Sequence, residues 1–220
     1  MKIEYLGHSS FLLTTSSGVR ILTDPLDGSA YPDPYLLSYK PFNGDVDIIT
    51  VSHSHPDHSA VDLIASKKVV VRDCAEYSYQ GIVVSGVETA HDDSHGSKRG
   101  RNIVFVMQAD GIRVAHLGDL GHVLTPFQQN EIGNVDVAMI PVGGYYTINA
   151  LQAHMVAKQL KAHMVIPMHY KTAKCNFTID SVDEFTHGHK NVIVEGASSV
   201  IVNPENLPSS PQIILLDYSG

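Results

Sequence analysis

The sequence has little cysteine and no long apolar run, and each absence argues against a class of protein. Its two cysteines, Cys74 and Cys175, form no C-x-x-C pair, so neither a disulfide framework nor a cysteine-rich zinc site is expected. The longest apolar stretches, residues 69–71 and 213–216, are far shorter than the ~20 residues that span a bilayer. The sequence therefore predicts a protein without a membrane-spanning helix.

The N-terminal stretch lacks the features of an export signal. Glu4 and His8 interrupt the region that would form the apolar part of a signal peptide. We therefore expect a cytoplasmic protein that has no membrane partner.

The chain also lacks a basic run with interleaved aromatic residues, and its formal net charge is −8. A negative surface repels polyanions, so no nucleic-acid partner is expected. Bound divalent ions would add positive charge locally, and a small-molecule substrate that is anionic can still be drawn to them. The oligomeric state is left open by these features.

The length and hydrophobic pattern predict one layered domain. With 220 residues, 43% of them hydrophobic, the chain can bury a substantial core, and we predict a single domain over residues 1–220. Strand-like segments, such as the branched apolar run at 46–52, outnumber helical ones. Helices are predicted at 59–66 and, capped by Thr147, at 149–161. In the second helix, four apolar residues are predicted to lie on one face: Leu151, Met155, Val156 and Leu160. An α/β sandwich, with sheet packed on sheet and helices outside, fits this pattern.

A dense histidine cluster follows the branched apolar run. The stretch "SHSHPDHSA" at residues 52–60 contains His53, His55, Asp57 and His58. Taken alone, it is either a metal site or a histidine-rich surface loop. Three more side chains of these types stand at the ends of predicted strands: His91, Asp119 and His169. Because rigid sheets present catalytic groups on such loops, we expect the seven to converge. Five imidazoles and two carboxylates are enough for two metal ions that share Asp119.

The order of these segments carries a resemblance to a known family. H-x-H-x-D-H after a buried strand is followed by an isolated histidine, by "HLGD" at 116–119 and by "PMHY" at 167–170. The opening "GHSSF", the "TDP" at 23–25 and the "GG" at 143–144 match as well. The sequence resembles metallo-β-lactamase-fold hydrolases, and most of all the branch of short members that includes ascorbate-6-phosphate lactonase-like proteins. The resemblance implies an αββα sandwich, with two mixed sheets packed face to face and metals at one edge.

The resemblance also implies which residues bind metal. The first ion would be held by His53, His55 and His91. The second would be held by Asp57, His58 and His169, and Asp119 would bridge the two ions. His95 is an alternative to His91, because it lies four residues further along the same loop.

Other residues have less certain roles. His8 and Asp24 resemble the positions at which an Asp–His hydrogen bond steadies a ligand loop, although ordinary turn chemistry explains them equally well. His116 is predicted to be a packed histidine that faces away from Asp119 by strand alternation. Residues that flank the expected pocket, and that can protonate a leaving group or hold an anion, are His122, Tyr145, Tyr146, Tyr170 and Lys171.

These residues imply a metal-dependent hydrolase of a small ester, lactone or phosphoester. A hydroxide bridging two divalent ions would be the nucleophile, with Asp57 and Asp119 as the catalytic carboxylates. Zn²⁺ is the expected metal, and Mn²⁺ or Fe²⁺ suits the same ligands. An iron-dependent redox enzyme on the same fold and a non-catalytic metal-binding protein are the alternatives.

Overall fold

The computed structural model describes residues 1–219, which form two β-sheets with few helices. The strands are β1 Lys2–Gly7, β2 Ser10–Thr14, β3 Arg20–Thr23, β4 Ile48–Thr50, β5 Val69–Val71, β6 Tyr77–Tyr79, β7 Ile82–Ala90, β8 Arg101–Ala109, β9 Ile112–His116, β10 Val137–Pro141, β11 Met164–Met168, β12 Val192–Val194, β13 Ser199–Ile201 and β14 Gln212–Leu215. The helices are α1 Pro126–Ile132, α2 Ala150–Gln159 and α3 Asp183–Thr186. This architecture confirms the predicted α/β sandwich of two mixed sheets.

The first sheet has the strand order β13-β1-β2-β3-β4-β5. Strands β1, β2 and β3 pair antiparallel, whereas β3, β4 and β5 run parallel. The register between β1 and β2 shifts between Tyr5 and Gly7, so the tight connection at His8 is irregular. His8 adopts a left-handed φ of 55° there, a conformation that is uncommon outside glycine and that occurs where surrounding structure enforces it.

The second sheet has the order β12-β14-β11-β10-β9-β8-β7-β6. Its central strands β9, β10, β11 and β14 are parallel, and β10 and β11 are completely buried along their length. The main hydrophobic core joins side chains of both sheets, including Phe11 of the first and Phe105 of the second. Helix α1 packs on β7, and α2 packs on β10 and α3. The carboxyl ends of the parallel strands therefore meet at one edge of the sandwich.

Among residues 1–219, no helix is both long and apolar enough to cross a membrane. The prediction of one domain over residues 1–220 stays a prediction.

The helix predicted at 59–66 is wrong, because the structure has only a single 3₁₀ turn at Val61–Leu63. Its preceding residue, Ala60, provides no side-chain cap for a longer helix. Val61 and Ile64 are both buried against the outer face of the first sheet. Their spacing of three residues matches the 3₁₀ repeat of three residues per turn, so one tight turn is enough to bury both.

The predicted cap of the second helix is also wrong, and so is half of its predicted apolar face. Asn149, not Thr147, caps α2, and it forms a capping box with Gln152. The buried side chains are Ala153, Val156 and Leu160, whereas Leu151 and Met155 are 71% and 48% exposed. At about 100° per residue, Leu151 and Met155 lie on the opposite side of the helix from Ala153 and Leu160. The small Ala153 therefore marks the face that meets the sheet.

Candidate metal centre

Four strand ends deliver the predicted site residues to one edge of the sandwich. The loop after β4 carries the histidine cluster, β7 ends one residue before His91, β9 leads to Asp119, and β11 ends one residue before His169. Two backbone hydrogen bonds join the sheets here, from the Ile103 amide to the Ser52 carbonyl at 3.0 Å and from the His169 amide to the His8 carbonyl at 2.8 Å. The structure thus brings all seven predicted residues together.

Asp119 lies at the centre of the cluster and is almost completely buried. Its Oδ2 atom is 3.1 Å from His91 Nε2, 3.3 Å from His169 Nε2 and 3.9 Å from His53 Nε2. Its Oδ1 atom is 3.3 Å from His58 Nε2. Burial alone would raise the pKa of Asp119, but His169 and His58 outweigh burial and hold it well below the ordinary value. The carboxylate is therefore ionised and reaches both expected halves of the site.

Two of the three groups of potential ligand atoms divide the cluster, and within each group the atoms lie within 4.8 Å of one another. The third group, Asp24, His53 and His58, shares its histidines with the other two. Of the two groups that divide the cluster, one consists of His53, His55 and His91. The other consists of His8, Asp57, His58 and His169. This division is the one that the resemblance implies, with His8 added to the second group.

His8 supports Asp57. Its Nε2 atom lies 3.0 Å from Asp57 Oδ2, and its ring centroid lies 4.2 Å from that of His169. Burial lowers the pKa of His8 to about 4, so the ring is neutral near pH 7 and its Nε2–H donates to the carboxylate. Burial opposes ionisation of Asp57, but the charge of His58 and the hydrogen bond from His8 outweigh it and depress the Asp57 pKa. Asp57 is thus ionised and held by one oxygen.

Asp24 fixes the orientation of His58 from the opposite side. It is fully buried and accepts hydrogen bonds from the Ser52 amide at 2.8 Å and from Ser52 Oγ at 2.5 Å. His58 Nδ1 lies 2.8 Å from Asp24 Oδ2, so Nδ1–H donates and Nε2 faces Asp119. The positions that the resemblance assigned to ligand support therefore do contact ligand candidates.

The donor set fits divalent transition-metal ions. Within residues 1–219, the buried atoms of the cluster that have no hydrogen-bond partner are Asp57 Oδ1, His58 Nε2, Asp119 Oδ1 and the Nδ1 atoms of His8, His91 and His169. Buried polar atoms without partners are rare, and at a functional site they indicate a missing ion or water. Burial would lower the pKa of His58, but the charges of Asp119 and Asp57 raise it well above its ordinary value. The cluster therefore attracts positive charge, which a divalent cation would supply.

The loop after β7 places His91, and not His95, in the cluster. His91 is buried in the cluster, whereas His95 is exposed and lines a separate recess together with His122. The His122 ring accepts a hydrogen bond from the Ala90 amide at 3.2 Å, so it braces the strand end just before His91. In this structure His95 does not face the cluster.

Asp92 organises the rest of this loop. Its carboxylate accepts four backbone hydrogen bonds of 2.8–2.9 Å, from the amides of Ser94, Gly96, Lys98 and Arg99. Burial would raise the Asp92 pKa, but these four donors outweigh it and hold the pKa well below the ordinary value.

Replacing Asp92 with alanine is expected to speed hydrogen exchange at those four amides, since each loses its acceptor. In the wild type, the Asp92 pKa is lower in the folded state than in the unfolded state. The ionised carboxylate therefore contributes its full stability above the unfolded pKa of about 3.9, and this stability is lost as pH falls through the lower folded pKa. Mass-spectrometric exchange of the 92–100 segment at neutral pH measures the effect. Unchanged exchange in the variant would contradict this role for Asp92.

A cavity of about 500 Å³ opens onto the cluster. Its aromatic lining comprises Tyr31, Tyr146 and Phe177, and Arg99 also contributes. Of the side chains predicted to flank the pocket, Tyr146 alone lines it. Tyr145 is 66% exposed and Tyr170 is buried, and neither lines the cavity; His122 and Lys171 do not line it either.

Tyr31 was missed by the sequence interpretation, because no motif marks it in the loop at 26–44. Its phenol lies close to Asp57. Burial and the negative charge of Asp57 raise its pKa well above the ordinary value, so the phenol keeps its proton at neutral pH. An aromatic residue in a long loop near the cluster is the only signal that the sequence contained.

Comparison with known proteins agrees with this geometry. Residues 2–169 match the sequence profile described as Beta-lactamase superfamily domain. A UPF0173 metal-dependent hydrolase of Pyrococcus furiosus is 32% identical, with 78% of this chain and 85% of that protein covered. A second such hydrolase, from Thermococcus kodakarensis, is 30% identical with the same coverage.

A solved structure extends the match to nearly the whole chain. A candidate Zn-dependent hydrolase of the metallo-β-lactamase superfamily from Thermotoga maritima superposes with a TM-score of 0.79 and 36% identity, and 99% of each chain is covered. The family profile, the relatives and this structure agree with the strand-end cluster described above. The chain therefore belongs to the metallo-β-lactamase superfamily and is one of its metal-dependent hydrolases.

Proposed function

We propose that this protein hydrolyses a small ester, lactone or phosphoester at a centre of two divalent ions, with zinc as the metal. His53, His55 and His91 would hold one ion, and Asp57, His58 and His169 the other. The observation that carries this proposal is the position of Asp119, whose carboxylate contacts histidines of both groups. A shared carboxylate between two sets of ligands is the arrangement that a dinuclear centre requires.

Divalent ions bound there would supply Lewis acidity, which makes water nucleophilic near pH 7 and stabilises negative charge that develops on the substrate. The chain's own residues complete the site. Asp57 Oδ1 lacks a hydrogen-bond partner among the described residues, and Asp57 lines the cavity. This oxygen would orient the attacking water, while His8 holds the other oxygen in place. If only one ion is bound, the same Asp57 oxygen would also accept the proton of that water.

Tyr31 would assist departure of the leaving group. Its phenol remains protonated and lies in the same cavity as Asp57, so it can donate a hydrogen bond to the leaving oxygen. Tyr146 and Phe177 supply apolar walls that limit the access of bulk water.

Tyr31→Phe is therefore expected to lower kcat by about tenfold or more, since a hydrogen bond to a charged oxygen contributes ~1.5–3 kcal/mol. Metal content should not change. The matched control is Tyr145→Phe, which removes the same hydroxyl from an exposed tyrosine outside the cavity. Steady-state kinetics and elemental analysis test the pair, and an equal loss of kcat in both variants would exclude the role of Tyr31.

An adjoining recess supports an anionic substrate. It has a volume of about 250 Å³, it shares His55 and Arg99 with the main cavity, and Arg72 and Arg101 also line it. No Asp or Glu among the described residues lines it. Arg101 forms an ion pair with Glu88 at 3.2 Å, whereas Arg72 has no ion pair within residues 1–219. We therefore propose that the substrate is a small anion. We also propose that the protein acts in the cytoplasm and has no nucleic-acid partner.

Arg72→Gln should raise KM for an anionic substrate by about tenfold, because one charged hydrogen bond is lost. Its kcat should be nearly unchanged, since Arg72 lies outside the main cavity. Lys68→Gln removes the same charge from a residue that lines neither cavity and is expected to leave KM unchanged. A normal KM in Arg72→Gln would contradict anion binding in the recess.

The proposed function is tested by metal reconstitution. Protein stripped with a chelator is reloaded with zinc, manganese or iron and assayed on a panel of lactones, esters and phosphodiesters. We expect turnover that disappears on stripping and returns with metal. Oxygen consumption by the iron form without hydrolysis would favour a redox enzyme, and no turnover with any metal would favour a non-catalytic protein.

A further inference from the structure

A second cavity lies at the end of β11 opposite the metal centre. It has a volume of about 740 Å³, compared with about 500 Å³ for the cavity at the cluster. His163 and Val165, at the start of β11, line it, whereas His169 follows the other end of the same strand. Its volume lies within the ~300–1,000 Å³ typical of pockets for small organic molecules.

The cavity combines an apolar wall with flat rings. Aliphatic lining residues are Ala157, Ala162, Val165 and Ile213. The Phe185 ring stacks on His154 with centroids 4.1 Å apart, and His189 stacks on His154 at 4.0 Å. A hydrogen bond of 2.9 Å from His154 Nε2–H to the Phe185 carbonyl holds this stack. Phe185 is fully buried and the stack engages His154 with both neighbours, so the exposed His189 is the ring that a planar, apolar body can cover.

The remaining lining is cationic and has no carboxylate to balance it. Three lysines contribute: Lys158, Lys161 and Lys190. None of the three forms an ion pair within residues 1–219, and no Asp or Glu in that range lines the cavity. This is unusual in a chain that has 23 acidic residues against 15 basic ones. Neighbouring ammonium groups repel one another, so an anion among them would relieve the repulsion.

We propose that this cavity is a second ligand site, which binds an organic anion with a planar apolar body. The exposed His189 ring and the aliphatic residues contact the body, and the lysines contact the anionic group. A neutral apolar molecule has no charge for the lysines, and an inorganic anion has no apolar body for the wall. Neither therefore satisfies both halves of the site. A ligand there contacts one end of the strand whose other end carries His169. The proposal does not depend on the reaction at the metal centre.

Binding of 8-anilinonaphthalene-1-sulfonate tests the proposal, because this dye is a planar apolar anion that fluoresces on apolar surfaces. It is titrated into the protein, both stripped of metal and loaded with zinc. We expect saturable binding in both forms. Adenosine monophosphate should displace the dye, whereas adenosine and inorganic phosphate at equal concentration should not.

Two variants locate the dye. Lys158→Gln/Lys161→Gln keeps both side chains polar and unbranched at Cβ but removes two charges, and it should weaken dye binding by about tenfold. Ala157→Trp should fill the cavity and abolish binding. The control, Lys40→Gln/Lys68→Gln, removes two lysines that do not line the cavity and should bind like the wild type.

Wild-type affinity in both cavity variants, or an equal loss in the control, would overturn the proposal. Displacement by inorganic phosphate alone would also overturn it, because the apolar half would then be unused. Thermal melts of each variant establish that it is folded. If the wild-type protein binds the dye but hydrolyses no substrate with any metal, the proposed function is contradicted and the second ligand site is still supported.

Discussion

Asp119→Asn is expected to lose at least one bound metal ion and to lower kcat by more than about 100-fold, since even changes to residues that only support ligands reduce affinity or activity ~10–100-fold. The substitution keeps the size of the side chain but removes its negative charge. Asp119 is buried among four imidazoles, and its oxygens lie 3.1–3.9 Å from their Nε2 atoms. Elemental analysis and kinetics on the same preparation measure both effects.

His116→Gln is the control for this substitution. His116 is buried three residues before Asp119, donates from Nε2–H to the Ser9 carbonyl at 2.8 Å and belongs to none of the three groups of potential ligands. Loss of this buried hydrogen bond should cost about 1–3 kcal/mol in the free energy of unfolding and leave metal content near wild type. If Asp119→Asn keeps full metal content and full activity, Asp119 does not bridge two ions.

Asp24→Asn is expected to lower metal affinity by about 10–100-fold, although Asp24 is not one of the seven proposed ligands. Asp24 Oδ1 accepts from the Ser52 amide, so in the variant the amide nitrogen takes the place of Oδ2, 2.8 Å from His58 Nδ1. A nitrogen donor there forces Nδ1 to accept and moves the ring proton to Nε2. The atom that faces Asp119 then carries a hydrogen and cannot bind a metal.

Calorimetric titration of stripped protein with zinc tests this prediction, and Asp47→Asn is the matched control. Asp47 also accepts a backbone hydrogen bond in the first sheet, from the Arg20 amide at 2.9 Å, but it is in none of the potential ligand groups. Its variant should bind zinc like the wild type. Wild-type zinc affinity in Asp24→Asn would show that the Asp24–His58 contact does not orient the ligand.

The sequence pattern predicts the sandwich and the residues of the cluster because both depend on local signals. Branched apolar runs mark buried strands, and the histidines and aspartates stand directly after them. His8 and Asp24 are found through short segments that match the family. Their partners, Asp57 and His58, lie in the loop after β4, so these contacts become visible only once β2, β3 and β4 pair.

The arginine recess could not be predicted, because it depends on contacts between segments that are distant in the sequence. Helix α1, in contrast, has a local signal. Arg72 and Arg101 meet beside His53 because Val51 bonds to Val71, and Ser52 to Ile103, and no local pattern encodes this convergence. Helix α1 was not predicted, although Thr125, Pro126 and Gln128 form a capping box with proline at the first position. Which side of α2 is buried against the sheet depends on side-chain packing, which the sequence pattern does not show.

The central claim is that two metal ions share Asp119 at this sandwich edge. Anomalous diffraction at the zinc edge from crystals of zinc-loaded protein tests it most directly. The account predicts two peaks on either side of the Asp119 carboxylate, one within about 2.0–2.2 Å of nitrogens from His53, His55 and His91, and the other at that distance from Asp57, His58 and His169. A single peak, or peaks that do not contact Asp119, would contradict it.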